Sequence, residues 1–499
     1  MTAVADYLQV HTEDNVIVAL KNYETGDRIS FQNQDITLRE SVETGHKIAI
    51  RPIEKGENII KYGYPIGQAT NRISIGDWVH THNVGTNLSG TLTYEYKPKS
   101  LSFQPLQTDR TFQGYVRANG DVGIRNEIWV INTVGCINKT CETVAKTAND
   151  MYKGDNIDGV YHYPHLFGCS QLGDDLHNTQ KILSNLVHHP NAAAILVMGL
   201  GCENNYIEFF KQVLGDYDEK RVHFIEVQQV DDEIEEGLDA MEELVAYAKT
   251  FKRQPVPISK LKVGLKCGGS DGFSGITGNP LLGAFSDKLI AHGGSTILTE
   301  TPELFGAEQI LMERAQDEGV FRQVVDMVNG FKEYFIKHDQ NVYENPSPGN
   351  KKGGITTLEE KSLGNVQKGG FAPVVDVLDY GGRMKEAGLT LLEGPGNDLV
   401  SVTALAASGA HIVLFTTGRG TPFGGPVPTV KISTNTALYN KKRRWIDFNA
   451  GQLVEGKDKD ELTDEFFDYI VALASGDVQA NNEKYGFKEI SIFKDGVIL

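Results

Sequence analysis

The sequence predicts an α/β protein: a small N-terminal β domain, then a mostly parallel α/β core, then a C-terminal α/β domain. Three observations predict it. The first 90 residues hold short β-rich runs between Gly and Asp turns and no amphipathic helix. From residue 114, apolar strands alternate with helical stretches, the pattern of βαβ units around a parallel sheet. Glycine-rich turns, drawn from 53 glycines, recur where those strands end.

The N-terminal domain, residues 1–90, shows strands at Val16–Leu20, Lys47–Arg51 and Asn58–Tyr62 and closes on Gly76-Asp-Trp-Val-His80-Thr-His82-Asn83. Residues 91–113 have no clear period and read as a linker lying along a surface. In the core, residues 114–340, the strands are Ile128–Val134, Gly159–Tyr163, Ala192–Met198, Val222–Val227, Leu261–Leu265 and Ser295–Thr299, with helices between. A connecting stretch over about 340–370 opens the last domain, residues 341–499. There a helix at Leu399–Ser408, a strand at His411–Thr416 and a strand at Val430–Ser433 surround another Gly-rich loop.

Length and charge bound the function. A chain of 499 residues holds two to four domains. With 48 Lys+Arg against 66 Asp+Glu the formal charge is −18, which argues against a general nucleic-acid binder or a polybasic membrane protein. The longest apolar runs, such as Ala192–Leu200, are too short to span a bilayer, and Met1–Asp6 begins no secretory signal. Five cysteines, an odd number, fit a reducing cytoplasm and direct attention to thiols as ligands or buried groups.

The cysteines are regularly spaced. Cys136, Cys169 and Cys202 lie 33 residues apart, about one βα unit, and each follows a glycine at a strand end. This puts them on one edge of the sheet, where open α/β sheets bind ligands. Each alone is more readily a buried structural thiol; together they suit a soft metal or an iron–sulfur cluster. Cys141 falls inside a helix. His80 and His82, two apart in a strand, would share a face and offer two imidazoles to a metal, or be two polar residues at a strand end. Asn83 and Asn87 nearby either hold a polyol or shape a turn.

Other turns offer charge. In Gly264-Leu-Lys266-Cys267-Gly-Gly-Ser270-Asp271-Gly272 the glycines would let backbone N–H groups approach an anion, with Lys266 as base or counter-charge. Arg419 lies in Gly418-Arg-Gly-Thr-Pro-Phe-Gly-Gly, and Arg117 and Arg125 flank another glycine turn; each either clamps a carboxylate or ties the chain together. Glu203, beside Cys202, and His165, four before Cys169, are acid–base candidates that equally suit capping and packing. Neither glycine turn has dinucleotide or Walker A spacing.

Long strings resemble one family. Tyr62-Gly-Tyr-Pro-Ile-Gly67, His80-Thr-His-Asn83, Arg117-Ala-Asn-Gly-Asp-Val-Gly-Ile-Arg-Asn126 and Gly168-Cys-Ser-Gln-Leu-Gly-Asp-Asp175 resemble the altronate/galactarate dehydratase family. So do Gly199-Leu-Gly-Cys-Glu-Asn-Asn205, the Gly264–Gly272 turn, Glu344-Asn-Pro-Ser-Pro-Gly-Asn350 and Thr417-Gly-Arg-Gly-Thr-Pro422. The resemblance covers almost the whole chain, its first 90 residues resembling the family's SAF-type domain.

The resemblance implies an Fe(2+)-dependent hydro-lyase, with Mn(2+) as a substitute, that dehydrates a sugar acid, altronate before galactarate. We expect His80 and His82 to join thiolates from Cys136, Cys169 and Cys202 around the metal, with Arg125, Lys266 and Arg419 neutralising the substrate carboxylate. We expect His165 to act as base, with Lys266 and Glu203 as further catalytic groups. Asn83, Asn87, Arg117, Ser270 and Asp271 complete the expected substrate contacts. A 4Fe–4S cluster on the three strand-end cysteines is the alternative cofactor. A nicotinamide-dependent oxidoreductase and a non-catalytic sugar-acid sensor are the rival functions. The expected setting is a cytoplasmic homo-oligomer acting on a small molecule, with no nucleic-acid or membrane partner.

Overall fold

A computed structural model describes residues 6–32, 34–99, 103–154 and 156–499. The N-terminal domain is all strand and turn among these residues, with a sheet of four strands, one of three and a hairpin. Its strands bury apolar residues that include Ile17, Ile48, Ile59 and Ile66. The linker hugs the rest of the molecule: Lys99 N–H donates to Glu313 O (2.9 Å) and Leu106 N–H to Ala291 O (2.7 Å). Its last residues, from Thr111, form a strand (Thr111–Val116) paired antiparallel with Arg253–Pro257. Residues 1–5 and 100–102 lie outside the described residues.

Two separate parallel sheets follow. The first has four strands: β1 (Glu127–Asn132), β2 (Gly159–His162), β3 (Ala192–Gly199) and β4 (Val222–Glu226), in the order β2-β1-β3-β4. Every residue of β3 is buried, as helices on both faces of a parallel sheet require. The helices are α1 (Asn138–Tyr152), α2 (Gly173–Val187), α3 (Ile207–Leu214) and α4 (Glu233–Ala248). Asp232 caps α4, its carboxylate accepting from the N–H groups of Ile234 and Glu235.

The second sheet has seven strands, all parallel: β5 (Lys262–Cys267), β6 (Ser295–Leu298), β7 (Val374–Leu378), β8 (Leu389–Leu392), β9 (Ile412–Thr417), β10 (Thr429–Ser433) and β11 (Phe448–Asn449). Their order is β7-β8-β6-β5-β9-β10-β11. Its principal helices are α5 (Gly278–Ala291), α6 (Glu318–Lys337), α7 (Leu358–Asn365), α8 (Asp398–Ala407) and α9 (Lys459–Ser475).

This corrects the expected 114–340 core. Strands β5 and β6 pair with β9 and β8, so they belong to the C-terminal sheet and the division falls between the two sheets. Apolar strands that end in glycine-containing turns recur in both sheets, and nothing in those local runs marks where hydrogen bonding changes partners. Among the described residues, no helix is long and apolar enough to cross a membrane.

Candidate active site

The C-terminal edge of the seven-stranded sheet gathers a buried charged cluster. Strand β5 ends in Lys266 and Cys267, and β6 runs into Glu300 and Glu303. The Sγ of Cys267 and a carboxylate oxygen from each of Glu300 and Glu303 lie within 4.8 Å of one another. Lys266 Nζ pairs with Glu300 and with Asp398 (3.0 Å), at the first turn of α8. Lys368 Nζ donates to the other Glu300 oxygen (2.7 Å). Lys361, on α7, donates to Glu303 (2.7 Å) and to Asn345 (3.1 Å). Glu300 takes a left-handed backbone conformation (φ 74°, ψ 58°), rare for a residue with a side chain and the kind of strain that functional sites retain.

These contacts fix protonation. Burial disfavours charge on Glu300, but Lys266 and Lys368 outweigh it and hold its carboxyl well below the usual range. Burial likewise opposes the Lys266 charge, and Glu300 with Asp398 outweigh it, so the amine stays protonated. Lys266 therefore cannot serve as the expected free base. Burial, with Glu300 and Glu303 beside it, pushes the Cys267 thiol up to about 12.

The N-terminal domain roofs this edge. Its Gly45 turn lies so close to the β5–α5 turn that a Cβ on Gly272 would stand 2.0 Å from Gly45 O. Next to it, His46 Nδ1 accepts from Trp78 Nε1 (3.1 Å), so its Nε2–H faces Lys352 O (3.2 Å). The His80 ring packs 5.0 Å from His46 and stacks 4.9 Å from Trp78, measured between ring centres. His80 Nδ1 is buried with no hydrogen-bond partner. Burial, then Lys47 and His46, push His80 down to about 3, so it is neutral. Lys47 and Lys61 reach across to one α7 carboxylate, Glu360, at 2.8 and 2.7 Å, all three fully buried.

The structure redistributes the expected site. His80 is buried but His82 is exposed, because the strand ends at Val79 and a turn follows; both rings still lie against Trp78, at 4.9 and 5.1 Å between ring centres. Asn83 builds that turn, its Oδ1 accepting from His80 N–H (2.9 Å) and its Nδ2 donating to Trp78 O (2.9 Å). Asn87 is exposed and donates its N–H to Glu359 (2.6 Å). Ser270 is buried beside Cys267, its Oγ 3.6 Å from Sγ. Asp271 is fully occupied by Thr434, Ser274, Asn435 and Phe273 N–H, so it pins the turn and is not free for substrate. Arg419 is exposed, its stem against Gly269.

Four expected residues are structural. Arg117 donates to Pro190 O, Asn126 and Arg125 O. Arg125 is buried in a two-point pair with Glu483 (2.6 and 3.0 Å). Glu203 accepts from Thr133 Oγ1 and from Leu200 and Gly201 N–H. His165 accepts from Phe167 N–H at Nδ1 and so donates from Nε2 to Asn132 O, leaving no lone pair for a substrate proton. Cys136, Cys169 and Cys202 are exposed on the four-stranded sheet. The expected centre joining them to His80 and His82 is not assembled: among the described residues, Cys267, Glu300 and Glu303 form the group of such ligand atoms that comes together.

Sequence reasoning missed Glu300, Glu303, Lys361, Lys368, Asp398, Glu360, Lys47 and Lys61. One signal was present: Glu300-Thr-Pro-Glu303 follows directly on an apolar strand, as Lys266-Cys267 does, and acids there abut the ligand edge of a parallel sheet.

Comparison with known proteins accounts for the whole chain. Three family models match in order: the altronate/galactarate dehydratase SAF domain over residues 5–87, the D-galactarate dehydratase/altronate hydrolase second domain over 114–249, and the D-galactarate/altronate dehydratase C-terminal domain over 258–498. Altronate dehydratase of Escherichia coli (strain K12) is 54% identical over 494 residues, 99% of this chain and 100% of that protein. Altronate dehydratase of Bacillus subtilis (strain 168) is 53% identical over 498 residues, 99% of each. Galactarate dehydratase (L-threo-forming) of Escherichia coli (strain K12) is 32% identical over 511 residues, 99% of this chain and 97% of that protein. Matched domain by domain and end to end, the chain belongs to the altronate/galactarate dehydratase family.

Proposed function

We propose that this chain dehydrates D-altronate to 2-dehydro-3-deoxy-D-gluconate and water, at the C-terminal edge of the seven-stranded sheet. The observation that carries the reading is the buried Cys267–Glu300–Glu303 group, on the sheet edge that the Gly45 turn of the N-terminal domain covers, in a chain that aligns along its full length with altronate dehydratases.

The donor set fits a divalent iron or manganese ion. One thiolate and two carboxylates suit such a cation, and Asn365 Oδ1, 3.2 Å from Cys267 Sγ, brings a neutral oxygen beside them. Charge counting agrees. Lys266, Lys361 and Lys368 already balance Glu300, Glu303 and Asp398. A dication adds two positive charges, which a Cys267 thiolate and a substrate carboxylate would together cancel. Bound there, the ion supplies Lewis-acid stabilisation, worth several kcal/mol, to the charge that builds beside the carboxylate as the C2 proton leaves.

The protein's own groups do the rest. Arg419 pairs with the substrate carboxylate from the rim. His80, neutral and without hydrogen bonds to its ring, accepts the C2 proton. The carboxylate beside it offsets the Lys47 charge and raises its basicity. Burial makes the resulting imidazolium a strong acid, suited to protonating the departing C3 hydroxyl. Water leaves and the enol tautomerises to the 2-keto acid. The N-terminal domain closes the edge from bulk solvent. A cytoplasmic setting agrees with five cysteines that are all unpaired, and we retain the homo-oligomer as the working assembly.

Metal titration tests this. Chelator-treated enzyme should regain keto-acid formation from D-altronate on adding ferrous iron. Cys267→Ser should need at least about tenfold more iron, the scale of an impaired metal shell. An unchanged iron requirement in that variant would move the metal away from Cys267.

A further inference from the structure

The three strand-end thiols of the four-stranded sheet have no part in the proposed reaction. Free cysteine is among the most buried of residue types. Cys141 and Cys267 follow that rule, yet Cys136, Cys169 and Cys202 are all exposed.

Their positions are not scattered. In the order β2-β1-β3-β4, the chain leaves β1 to one side and β3 to the other, so the switch point lies between those strands. Open α/β sheets bind ligands in the crevice at that point, beyond the strand C-termini. Cys136 follows β1, Cys202 follows β3, and Cys169 sits on the loop after β2.

The three loops are stitched together. Gly135 N–H donates to Phe167 O (2.9 Å), Asn205 N–H to Gly168 O (3.0 Å) and Asn205 Nδ2 to Thr133 O (3.1 Å). Ser170 N–H donates to Asn204 Oδ1 (2.8 Å). The loops approach so closely that a Cβ on Gly168 would stand 2.0 Å from Thr133 O. Two of the thiols already meet polar groups: Gln228 Nε2 lies 3.6 Å from Cys202 Sγ, and Ser170 Oγ lies 3.7 Å from Cys169 Sγ.

Apolar side chains rim the same loops without being covered. Leu166 is 89% exposed, and Leu172, Ile498 and Leu499 are also open. The chain's last residues are held there by Leu499 N–H donating to Ser170 O (3.0 Å) and by a bridge between Gln171 and Ile498. The sulfurs are not gathered within 4.8 Å as a trio, which is too open for one cation. An iron–sulfur cluster makes the opposite demand, because it spreads its thiolates over separate irons.

We propose that Cys136, Cys169 and Cys202 ligate a 4Fe–4S cluster, whose fourth iron is left to solvent or a small oxygen ligand. Binding requires the three thiols to release their protons to solvent, with two ferrous irons, two ferric irons and four sulfides supplied from outside, so that no further oxidant is needed. The site is on a different sheet from Cys267 and does not depend on the dehydratase reading.

The test uses the full chain, purified anaerobically and reconstituted with equal amounts of ferrous and ferric iron and with sulfide, then desalted. Acid-labile sulfide, visible charge-transfer absorption and the electron paramagnetic resonance of the reduced protein are read. The proposal expects one cluster's sulfide per chain, lost to background in each of Cys136→Ser, Cys169→Ser and Cys202→Ser and retained in Cys267→Ser. The altered side chains are exposed, and circular dichroism checks that each variant is folded. No retained sulfide, sulfide that survives the triple replacement, or zinc bound by the three thiols without sulfide would each overturn it.

Discussion

The two parallel sheets solve the same design problem in opposite ways. Each ends strands in Gly or Lys followed by Cys at its ligand edge. The four-stranded sheet leaves Cys136, Cys169 and Cys202 in the open and spends Glu203 beside them, and Arg117 and Arg125 at the opposite ends of its strands, on holding the chain in place. The seven-stranded sheet buries Cys267 among six charged groups and covers it with another domain. The difference teaches that strand-end position identifies a candidate edge. The chemistry of that edge is decided by what is folded over it.

The largest effect that would sharpen this contrast is at His80. His80→Asn should cut keto-acid formation by roughly 10²–10⁴-fold, the range for a lost acid–base group, with little change in thermal midpoint. Near-normal turnover would return His80 to a packing role. The opposite pattern is expected on the other sheet. Arg125→Gln leaves Glu483 buried and unpaired, so it should cost about 3–5 kcal/mol in denaturant unfolding, with KM unchanged in the folded fraction. A raised KM without lost stability would reinstate Arg125 as a substrate ligand.

Arg419 is exposed and holds no fold together. Arg419→Gln should raise KM by about 10–100-fold, since a hydrogen bond to a charged group is worth about 1.5–3 kcal/mol, with stability within about 0.5 kcal/mol of the parent. The most gradual effect is in acid. Glu300 and Glu360 are both held below the usual carboxylate range by paired lysines. On acidification the unfolded chain therefore takes up protons first. Their stabilisation is fully present above about pH 4.3, the ordinary glutamate value, and drains as pH falls toward the lower folded values. Unfolding free energy should drop by up to about 1.4 kcal/mol per pH unit per group over that window. A flat acid limb would show that neither pairing persists in solution.

Much of this was legible in the sequence. The helix-free first domain, the surface linker and the strand–helix alternation are written in local periodicity, and the Lys266–Gly272 turn in composition. The seam between sheets was not, because β5 and β6 look alike whichever neighbours they pair with. Nor was the burial state of any strand-end cysteine. Glu300 and Glu303 lie more than 30 residues beyond Cys267, and Lys361 and Lys368 more than 90. Parallel pairing and α7 bring them together, and no short spacing encodes that. Arg117 and Arg125 misled for a physical reason: a guanidinium that satisfies backbone carbonyls inside a fold has the same sequence appearance as one that waits for a carboxylate.

The bond between Glu360 and the two lysines of the first domain bears on how the enzyme would respond to a protease. A cut in the linker removes the covalent tether, which keeps the roof at a high local concentration, and leaves the linker's own packing on the core in place. The lock itself is buried, and opening it would give up both ion pairs together with the apolar contacts shared by the two sides. Nicked enzyme should therefore migrate as one particle and keep turning over. It should fall apart only under conditions that also unfold the seven-stranded sheet.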